Sequence, residues 1–255
     1  MCYTVAYLTK KKITYAKRAG ASEDEVKELQ LQLEELTATQ PAMFHISGFA
    51  HPKLLCFTRD DGPRFDLVRW GLIPHWVKDH AQAAIVSRQT LNARGETIFE
   101  KPAFRIAVQH RCLILVDGFF EFFHFAKRTF PYHIRFKDDA PMALAGISSN
   151  WKDPETGASI NTVSIVTAEA NALMARIHNN PKAKGPRMPF IIPKELDELW
   201  LSSSTDRDRI SDLISPFTEN DLEAFTVAPL LGKHASPNTH RAIEPFEYPE
   251  LALLG

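Results

Sequence analysis

Between residues 43 and 167 the chain repeats one pattern: short runs rich in β-branched and aromatic residues, separated by glycine, proline and aspartate. Such runs are typical of β-strands, and the breaks between them are typical of tight turns. The run 112–116 is apolar throughout, which indicates a buried strand. We therefore predict a mostly antiparallel sheet or barrel, with strands at 44–52, 53–58, 65–74, 112–116, 119–123, 131–136, 142–148 and 162–167.

Residues 22–36 carry the clearest helical signal. Ser22 and Glu25 form the capping-box pattern S-x-x-E at its start. Apolar residues then recur at helical spacing, opposite a polar face, so we expect a helix on the outside of the domain. Shorter helices are expected at 10–18, 167–177, 193–200 and 206–214, strands at 2–8 and 226–230, and a surface-wrapping tail at 231–255.

The composition narrows the class of protein. The 255 residues allow a substantial core, and 44% hydrophobic with 24% charged residues is an ordinary globular mix. The net charge of −1 gives no global attraction to nucleic acid, so such binding needs a local patch.

We find no signal peptide and no apolar run long enough to span a membrane. The three cysteines have no metal-ligand spacing and indicate reduced thiols in a cytoplasmic protein, so neither a metal nor a cofactor is expected.

The sequence opens with Met1-Cys2. An initiator methionine before a small residue is normally removed, which would leave Cys2 carrying both a free α-amine and a thiol. Both groups titrate near neutral pH, at about 8 to 8.5, so both are available as nucleophiles. Such an aminothiol can condense with an aldehyde and close a five-membered ring, or act as an N-terminal nucleophile. The alternative is that Cys2 is merely a small buried apolar residue.

Glu121 lies within a run of four phenylalanines, 119–123. A carboxylate among apolar side chains is costly unless it is paired or protonated, and a protonated carboxyl group suits general acid catalysis. Strand alternation allows another arrangement, in which Phe120 and Phe122 face the core and Glu121 faces solvent. That arrangement would leave Phe119 and Phe123 exposed as well. The sequence leaves both arrangements open.

Three further motifs have both a structural and a functional interpretation. Asn92 and Arg94 could belong to a solvated turn, or Asn92 could orient a reacting group while Arg94 holds a phosphate. Trp70 and Trp76 flank a Gly/Pro turn and could be core residues or a surface on which nucleobases stack. His178 ends a predicted helix, where a capping or surface role is common.

Six motifs in this order resemble the SOS response-associated peptidase (SRAP) family: Met-Cys at the start, WGLIPHW, LNARGET, RCLILVDGFFEF, TAEANALMARIHN and RMPFII. The resemblance covers residues 2 to about 192. It implies a single α+β domain over 1–255, with a curved, partly barrel-like, mostly antiparallel sheet flanked by helices. It also implies a sensor of abasic sites in single-stranded DNA, which forms a thiazolidine cross-link through Cys2.

The resemblance assigns roles to particular residues. The implied catalytic residues are Cys2, Asn92, Glu121 and His178. The implied DNA-binding residues are Arg94, Arg187, Trp76 and Trp70. Four departures concern DNA binding: a threonine at position 4 where a basic residue is often found, FHISGFAH in place of a proline-containing turn, a loop insertion, 180–186, between His178 and Arg187, and a poor match to the C-terminal family motif in KHASPNTHRAIEPF.

Other activities remain open at this point. Cys2 could pair with His178 as the nucleophile of a thiol peptidase, which could also cleave itself. It could instead be the nucleophile of an N-terminal-nucleophile amidohydrolase. A third possibility is a non-catalytic single-strand-binding module. For the favoured function the expected partner is single-stranded DNA with abasic sites. We expect a monomer without a membrane partner, located in the cytoplasm and associated with the nucleoid after DNA damage.

Overall fold

The polypeptide builds two β-sheets with helices around them. The computed structural model describes residues 2–251. The strands are β1 Thr4–Tyr7, β2 Met43–Ser47, β3 Lys53–Thr58, β4 Arg64–Trp70, β5 Asn92–Arg94, β6 Arg111–Val116, β7 Gly118–Phe125, β8 Arg128–Phe136, β9 Met142–Lys152, β10 Ser159–Glu169, β11 Arg187–Pro189 and β12 Leu222–Thr226. The helices are α1 Lys12–Ala19, α2 Glu23–Leu36, α3 His80–Gln89, α4 Ala172–Ile177, α5 Asp197–Leu201 and α6 Arg207–Leu213. Among the described residues, no helix is both long enough and apolar enough to cross a bilayer.

One sheet has the strand order β12-β8-β7-β1-β2, with every pair antiparallel. In the other, β4, β3, β6, β9 and β10 pair in a closed ring, and β5 and β11 attach to β10. The parallel β10–β4 pair closes this ring, and its other pairs are antiparallel. The predicted fold class is therefore confirmed: α+β, with a curved, partly barrel-like, mostly antiparallel sheet.

The chain crosses from one sheet to the other between β6 and β7. Asp117, at the crossing, accepts hydrogen bonds from the amide and hydroxyl of Thr9 at 2.7 and 2.5 Å, and from the hydroxyl of Tyr15. The next residue is Gly118, where an added Cβ would lie 2.4 Å from Nε2 of His133. The close approach of β8 therefore requires glycine at this point, and β7 starts in a fixed register.

Several element boundaries differ from the sequence prediction. The helix predicted from residue 167 begins at Ala172, because 167–169 continue β10 and Asn171 caps the helix by accepting a hydrogen bond from the amide of Met174. The strand predicted at 226–230 lies earlier, as β12. Helix α3 was not predicted, because it buries only Ala83 and Ser87 and so carries no apolar stripe.

Residues 231–251 cover both edges of the five-stranded sheet. Asn238 accepts hydrogen bonds at its side-chain oxygen from the amides of Phe44 and His45 in β2, at 2.8 and 3.1 Å. At the opposite edge, the amide of Phe246 donates to the carbonyl of Thr226 in β12, at 2.8 Å. Exposed strand edges invite pairing with other chains, and this segment blocks both. The last four residues of the predicted tail lie outside the described residues.

His133 in β8 is a buried side chain whose two ring nitrogens have no hydrogen-bond partner within residues 2–251. Its ring stacks on Phe120 at 4.8 Å and meets Phe225 edge-on at 5.6 Å. Burial lowers the pKa of His133 to about 3, with smaller contributions from the charges of Arg135 and Lys10. Asp139 opposes this shift only weakly, so His133 stays neutral in the folded protein near neutral pH.

The stability of the fold should therefore depend on pH through His133. The unfolded chain takes up a proton at this side chain near pH 6.5, whereas the folded protein does so only near pH 3. Because the unfolded state binds the proton first, stability falls as pH drops through this window, by up to about 1.4 kcal/mol per pH unit. We expect the His133→Leu variant to show a smaller decrease in the free energy of unfolding between pH 7 and pH 4, measured by denaturant unfolding. The exposed His234→Leu is the control, and parallel curves for wild type and His133→Leu would contradict the expectation.

Candidate active site

Cys2 lies two residues before β1, a strand in the interior of the five-stranded sheet. Strand β1 pairs on one side with β2, through Thr4 and Ser47, and on the other with β7, through Thr4 and Phe120. The side-chain amide of Asn92 donates a hydrogen bond of 2.8 Å to the carbonyl of Cys2. Cys2 is only 1% exposed. The second residue of the chain is therefore held rigidly, in contrast to the frayed ends of most proteins. Met1, whose removal the sequence predicts, lies outside the described residues.

Strand β5 brings Asn92 and Arg94 to one face of the sheet. The strand runs parallel to β10, with Asn92 opposite Ile165, and Ala93 between them is fully buried. Since side chains alternate along a strand, Asn92 and Arg94 project to the same side. The side-chain oxygen of Asn92 is buried and has no hydrogen-bond partner among residues 2–251. This acceptor, beside Cys2, is suited to an amine donor.

Glu121 and His178 form a buried pair next to Cys2. The His178 Nδ1 atom lies 3.3 Å from Oε2 of Glu121, and the two residues are 6% and 7% exposed. The same nitrogen lies 3.0 Å from the carbonyl oxygen of Arg187, and Oε1 of Glu121 accepts a hydrogen bond from the amide of Phe122. Glu121 thus has fixed partners on β7 and on the segment after α4.

The solvent-facing arrangement of Glu121 is excluded by the packing of β7. Phe119 and Phe120 are both buried, although they point in opposite directions. Phe119 joins the cluster that contains Cys2, whereas Phe120 packs with Ala6 in a separate cluster. Both faces of the strand are covered here, so the assumption that one face meets solvent does not hold.

The Cys2 thiol is held in its neutral form. Burial, reinforced by the negative charge of Glu121, raises the pKa of the thiol to about 12. A thiolate at neutral pH would instead require a nearby cation or a helix N-terminus. The sulfur therefore needs to lose its proton during a reaction, and Glu121 is the carboxylate close enough to affect it electrostatically.

A cleft of about 570 Å³ opens over this cluster. Tyr3, Glu121 and His178 line one part of it. Cationic side chains line another part: Arg94 on β5, and Lys182 and Lys184 in the loop between α4 and β11. Within residues 2–251 these three cations form no ion pair. The chain is nearly neutral overall, so this cleft supplies the local positive patch that nucleic-acid binding would need.

Arg187 does not join these free cations. Its guanidinium donates to both carboxylate oxygens of Glu96, at 2.8 and 2.9 Å, and to the hydroxyl and carbonyl of Thr167, at 3.2 and 2.7 Å. Arg187 is also buried. Arg187 lines the cleft, where its side chain anchors β11 beside His178, so its phosphate contact stays a prediction. In the described part of the chain, the cleft cations without ion pairs are Arg94 and the two lysines.

The two tryptophans predicted to stack on DNA occupy different environments. Trp70 is fully buried, and its indole N–H donates to the carbonyl of Leu91 at 2.8 Å. Its predicted role in base stacking is therefore wrong, because the ring offers no surface to a ligand. Trp76 is 39% exposed, in a separate depression with Ile106 and Pro102, and does not line the cleft. Its stacking role stays a prediction.

Sequence reasoning missed several residues of the cleft. Tyr3 carries no signal apart from its position next to Cys2. Lys182 and Lys184 were passed over as part of an insertion, although two lysines in a Pro/Gly-bounded loop directly after His178 were a usable signal. Metal chemistry has no evident site in the described part of the chain, where no group of three or more candidate ligands comes together.

A buried cysteine at residue 2 lies beside an asparagine, a glutamate and a histidine on a barrel-like α+β scaffold. These features define a class of protein whose candidate active site is centred on a thiol next to the amino-terminal strand. The family described as SOS response associated peptidase (SRAP) matches residues 1–234. The chain therefore belongs to the SRAP family, as the motifs of the sequence indicated.

Named relatives and solved structures agree with this assignment. The chain is 37% identical over 179 residues to the abasic site processing protein YoqW of Bacillus subtilis, covering 68% of this chain and 75% of the relative. It is 28% identical to the abasic site processing protein HMCES of Gallus gallus, over 52% of this chain and 44% of the relative. A crystal structure from Bacteroides thetaiotaomicron superimposes with a TM-score of 0.82 at 31% identity, covering 96% of this chain and 100% of that one.

Proposed function

We propose that this protein processes abasic sites in single-stranded DNA by forming a covalent cross-link through Cys2 after removal of Met1. The observation that carries the proposal is the packing of Cys2 against Asn92 and Glu121 beneath a cleft lined with unpaired cations. An abasic sugar combines an aldehyde, which an aminothiol attacks, with flanking phosphates, which cations attract. The names of the relatives support the same substrate.

The chemistry begins with opening of the sugar. The bond between C1′ and the ring oxygen breaks, the ring oxygen receives a proton, and the C1′ hydroxyl loses one to become an aldehyde. Glu121 is placed to transfer these protons, since it lies in the cleft wall and is paired with His178. The Cys2 amine then adds to C1′, and a water molecule leaves to give an imine.

Ring closure completes the cross-link. The sulfur of Cys2 adds to the imine carbon, and the thiol proton passes to the imine nitrogen, so that aldehyde and aminothiol give thiazolidine and one water. The amine reacts first in this order, because the imine that it forms is the electrophile to which the sulfur adds. Asn92 holds the backbone of Cys2 through its carbonyl, and its unpaired side-chain oxygen is available to the amine.

The same geometry does not favour a thiol peptidase. Such an enzyme needs a thiolate activated by an imidazolium, whereas burial and Glu121 raise the pKa of the Cys2 thiol. The Nδ1 atom of His178 is occupied by Glu121 and by the backbone of Arg187. The pair that the structure forms is therefore glutamate with histidine.

Intact-protein mass spectrometry tests the proposal. The protein is incubated with a single-stranded oligonucleotide carrying one abasic site, and in parallel with the same strand without the lesion and with an intact duplex. We expect loss of Met1 and an adduct with the mass of protein plus oligonucleotide minus one water, in the first arm alone. A mature Cys2 terminus with no adduct would overturn the proposal.

The loop lysines should contribute affinity and not chemistry. Replacing Lys182 and Lys184 by alanine removes two exposed charges from the cleft, so binding should weaken and depend less on salt. Each lost phosphate contact reduces the slope of log affinity against log salt by about 0.7 for a single strand. Fluorescence anisotropy with a lesion-free strand measures this slope. The matched control is Lys17→Ala with Lys27→Ala, exposed lysines on α1 and α2. A change as large in the control would contradict the assignment.

A further inference from the structure

A row of three side chains leads from the cleft across the surface. Tyr3 lines the cleft, and its ring centroid lies 5.1 Å from that of Phe49, with the two planes tilted by 30°. The guanidinium carbon of Arg88, in the last turn of α3, lies 5.5 Å from the centroid of the Phe49 ring. The row therefore starts at the ring of Tyr3 in the cleft, continues through the ring of Phe49 and ends at the guanidinium of Arg88.

Phe49 is held in place and yet exposed. It lies in a short 3-10 turn, Gly48–Ala50, where its amide donates to the hydroxyl of Ser47 and the amide of Gly48 donates to the carbonyl of Tyr3 at 2.8 Å. A Cβ on Gly48 would lie 3.0 Å from the ring of Trp70, so the buried tryptophan supports the turn from below. Phe49 nevertheless leaves 43% of its surface to solvent.

The charge around the row identifies the kind of ligand. Arg88 forms no ion pair among residues 2–251, and it stands close enough to Arg69 for both to act on His51. Burial, followed by these two positive charges, lowers the pKa of His51. An exposed aromatic ring next to an exposed arginine without an ion pair suits a single-stranded nucleic acid, because bases stack on the ring while the cation holds phosphate.

We propose that Tyr3, Phe49 and Arg88 form a stacking row that holds the nucleobase next to the lesion on one side of the strand. This inference rests on the proposed function and names a contact that the reaction itself does not use. Phe49 receives the base on its exposed surface, and Arg88 lies against the same base or its phosphate. Tyr3 links the row to the cleft, which fixes the distance between the stacked base and the reacting sugar.

The test measures the DNA concentration that gives half-maximal adduct formation, using two strands. One carries a single abasic site between two adenines. In the other, tetrahydrofuran residues, which lack both a base and an aldehyde, replace the adenines. Stacking of one base changes affinity by about 5- to 150-fold. We expect the wild type to prefer the first strand by this factor, and Phe49→Ala to lose the preference, with an unchanged rate at saturation.

Three comparisons keep the result interpretable. Phe49→Trp should retain the preference for flanking bases, since it preserves a stacking surface. Phe246→Ala removes an equally exposed phenylalanine from the covering tail and should behave as wild type. Thermal unfolding checks that each variant is folded. An equal effect of Phe49→Ala on both strands, or no effect on either, would overturn the stacking row. Absence of adduct with the wild type on every strand would instead refute the proposed function.

Discussion

The Cys2→Ala variant is expected to form no covalent adduct with abasic single-stranded DNA while still binding the strand. Alanine keeps an α-amine, so an imine can form, but without sulfur the ring cannot close and the imine hydrolyses. The substitution removes no cation from the cleft, so anisotropy should report affinity within a fewfold of wild type. The expected effect is the complete loss of an adduct that survives denaturation, read by mass spectrometry or a denaturing gel.

Cys56→Ala is the matched control, because Cys56 is equally buried and lies in the same apolar cluster as Cys2. It should cross-link as wild type does. Treatment with borohydride separates the steps further, since reduction traps an imine. The Cys2→Ala variant should give a trapped adduct only in the presence of the reductant. A stable adduct from Cys2→Ala without reductant would show that another nucleophile reacts.

The second large effect is expected at Glu121. The isosteric Glu121→Gln variant keeps the shape of the buried pair with His178 but removes the carboxylate that we propose transfers protons. General acid–base catalysis contributes typically about 10²- to 10⁴-fold, so adduct formation at saturating DNA should slow by that order. Affinity should not fall, because the substitution removes a negative charge from the cleft that we propose binds phosphate. Single-turnover kinetics separate the two quantities.

Glu121→Gln should also change the titration of the thiol. Glu121 is one of the groups that raise the pKa of Cys2, so its neutralisation should lower that pKa while burial keeps it above the ordinary value. A thiol-specific alkylating reagent, applied across a pH series, measures this shift. Glu169→Gln, an exposed acid at the end of β10, serves as control for both experiments. An unchanged cross-linking rate in Glu121→Gln would remove Glu121 from the mechanism.

Local patterns in the sequence predicted the strands and the longest helix well. Residues 22–36 carried both a capping signal and an apolar stripe, and α2 begins where Ser22 accepts a hydrogen bond from the amide of Glu25. Helix α3 had neither a stripe nor a long apolar run, so nothing in its sequence separated it from a loop. The boundaries that failed, at α4 and β12, depend on pairing with distant strands.

The candidate site could be predicted from the sequence only through its family motifs. Cys2 and Glu121 meet because β1 pairs with β7, and no spacing rule predicts a contact between segments so far apart. Trp70 shows what composition cannot decide. The sequence around a tryptophan in a Gly/Pro turn is the same whether the ring is buried beneath the turn or exposed to stack on a ligand. Phe49 shows the reverse case, because an aromatic residue in a strand-rich region is ordinarily assigned to the core.

The placement of β1 has a consequence for how the protein responds to heat. Chain termini commonly detach at low free-energy cost, well before the rest of a domain opens. Here the segment that follows Cys2 is hydrogen-bonded on both sides within the five-stranded sheet, so releasing it means breaking the sheet itself. The end of the chain that carries Cys2 therefore belongs to the cooperatively unfolding part of the domain. We expect the proposed cross-linking activity and the structure to be lost at the same temperature when both are followed during heating.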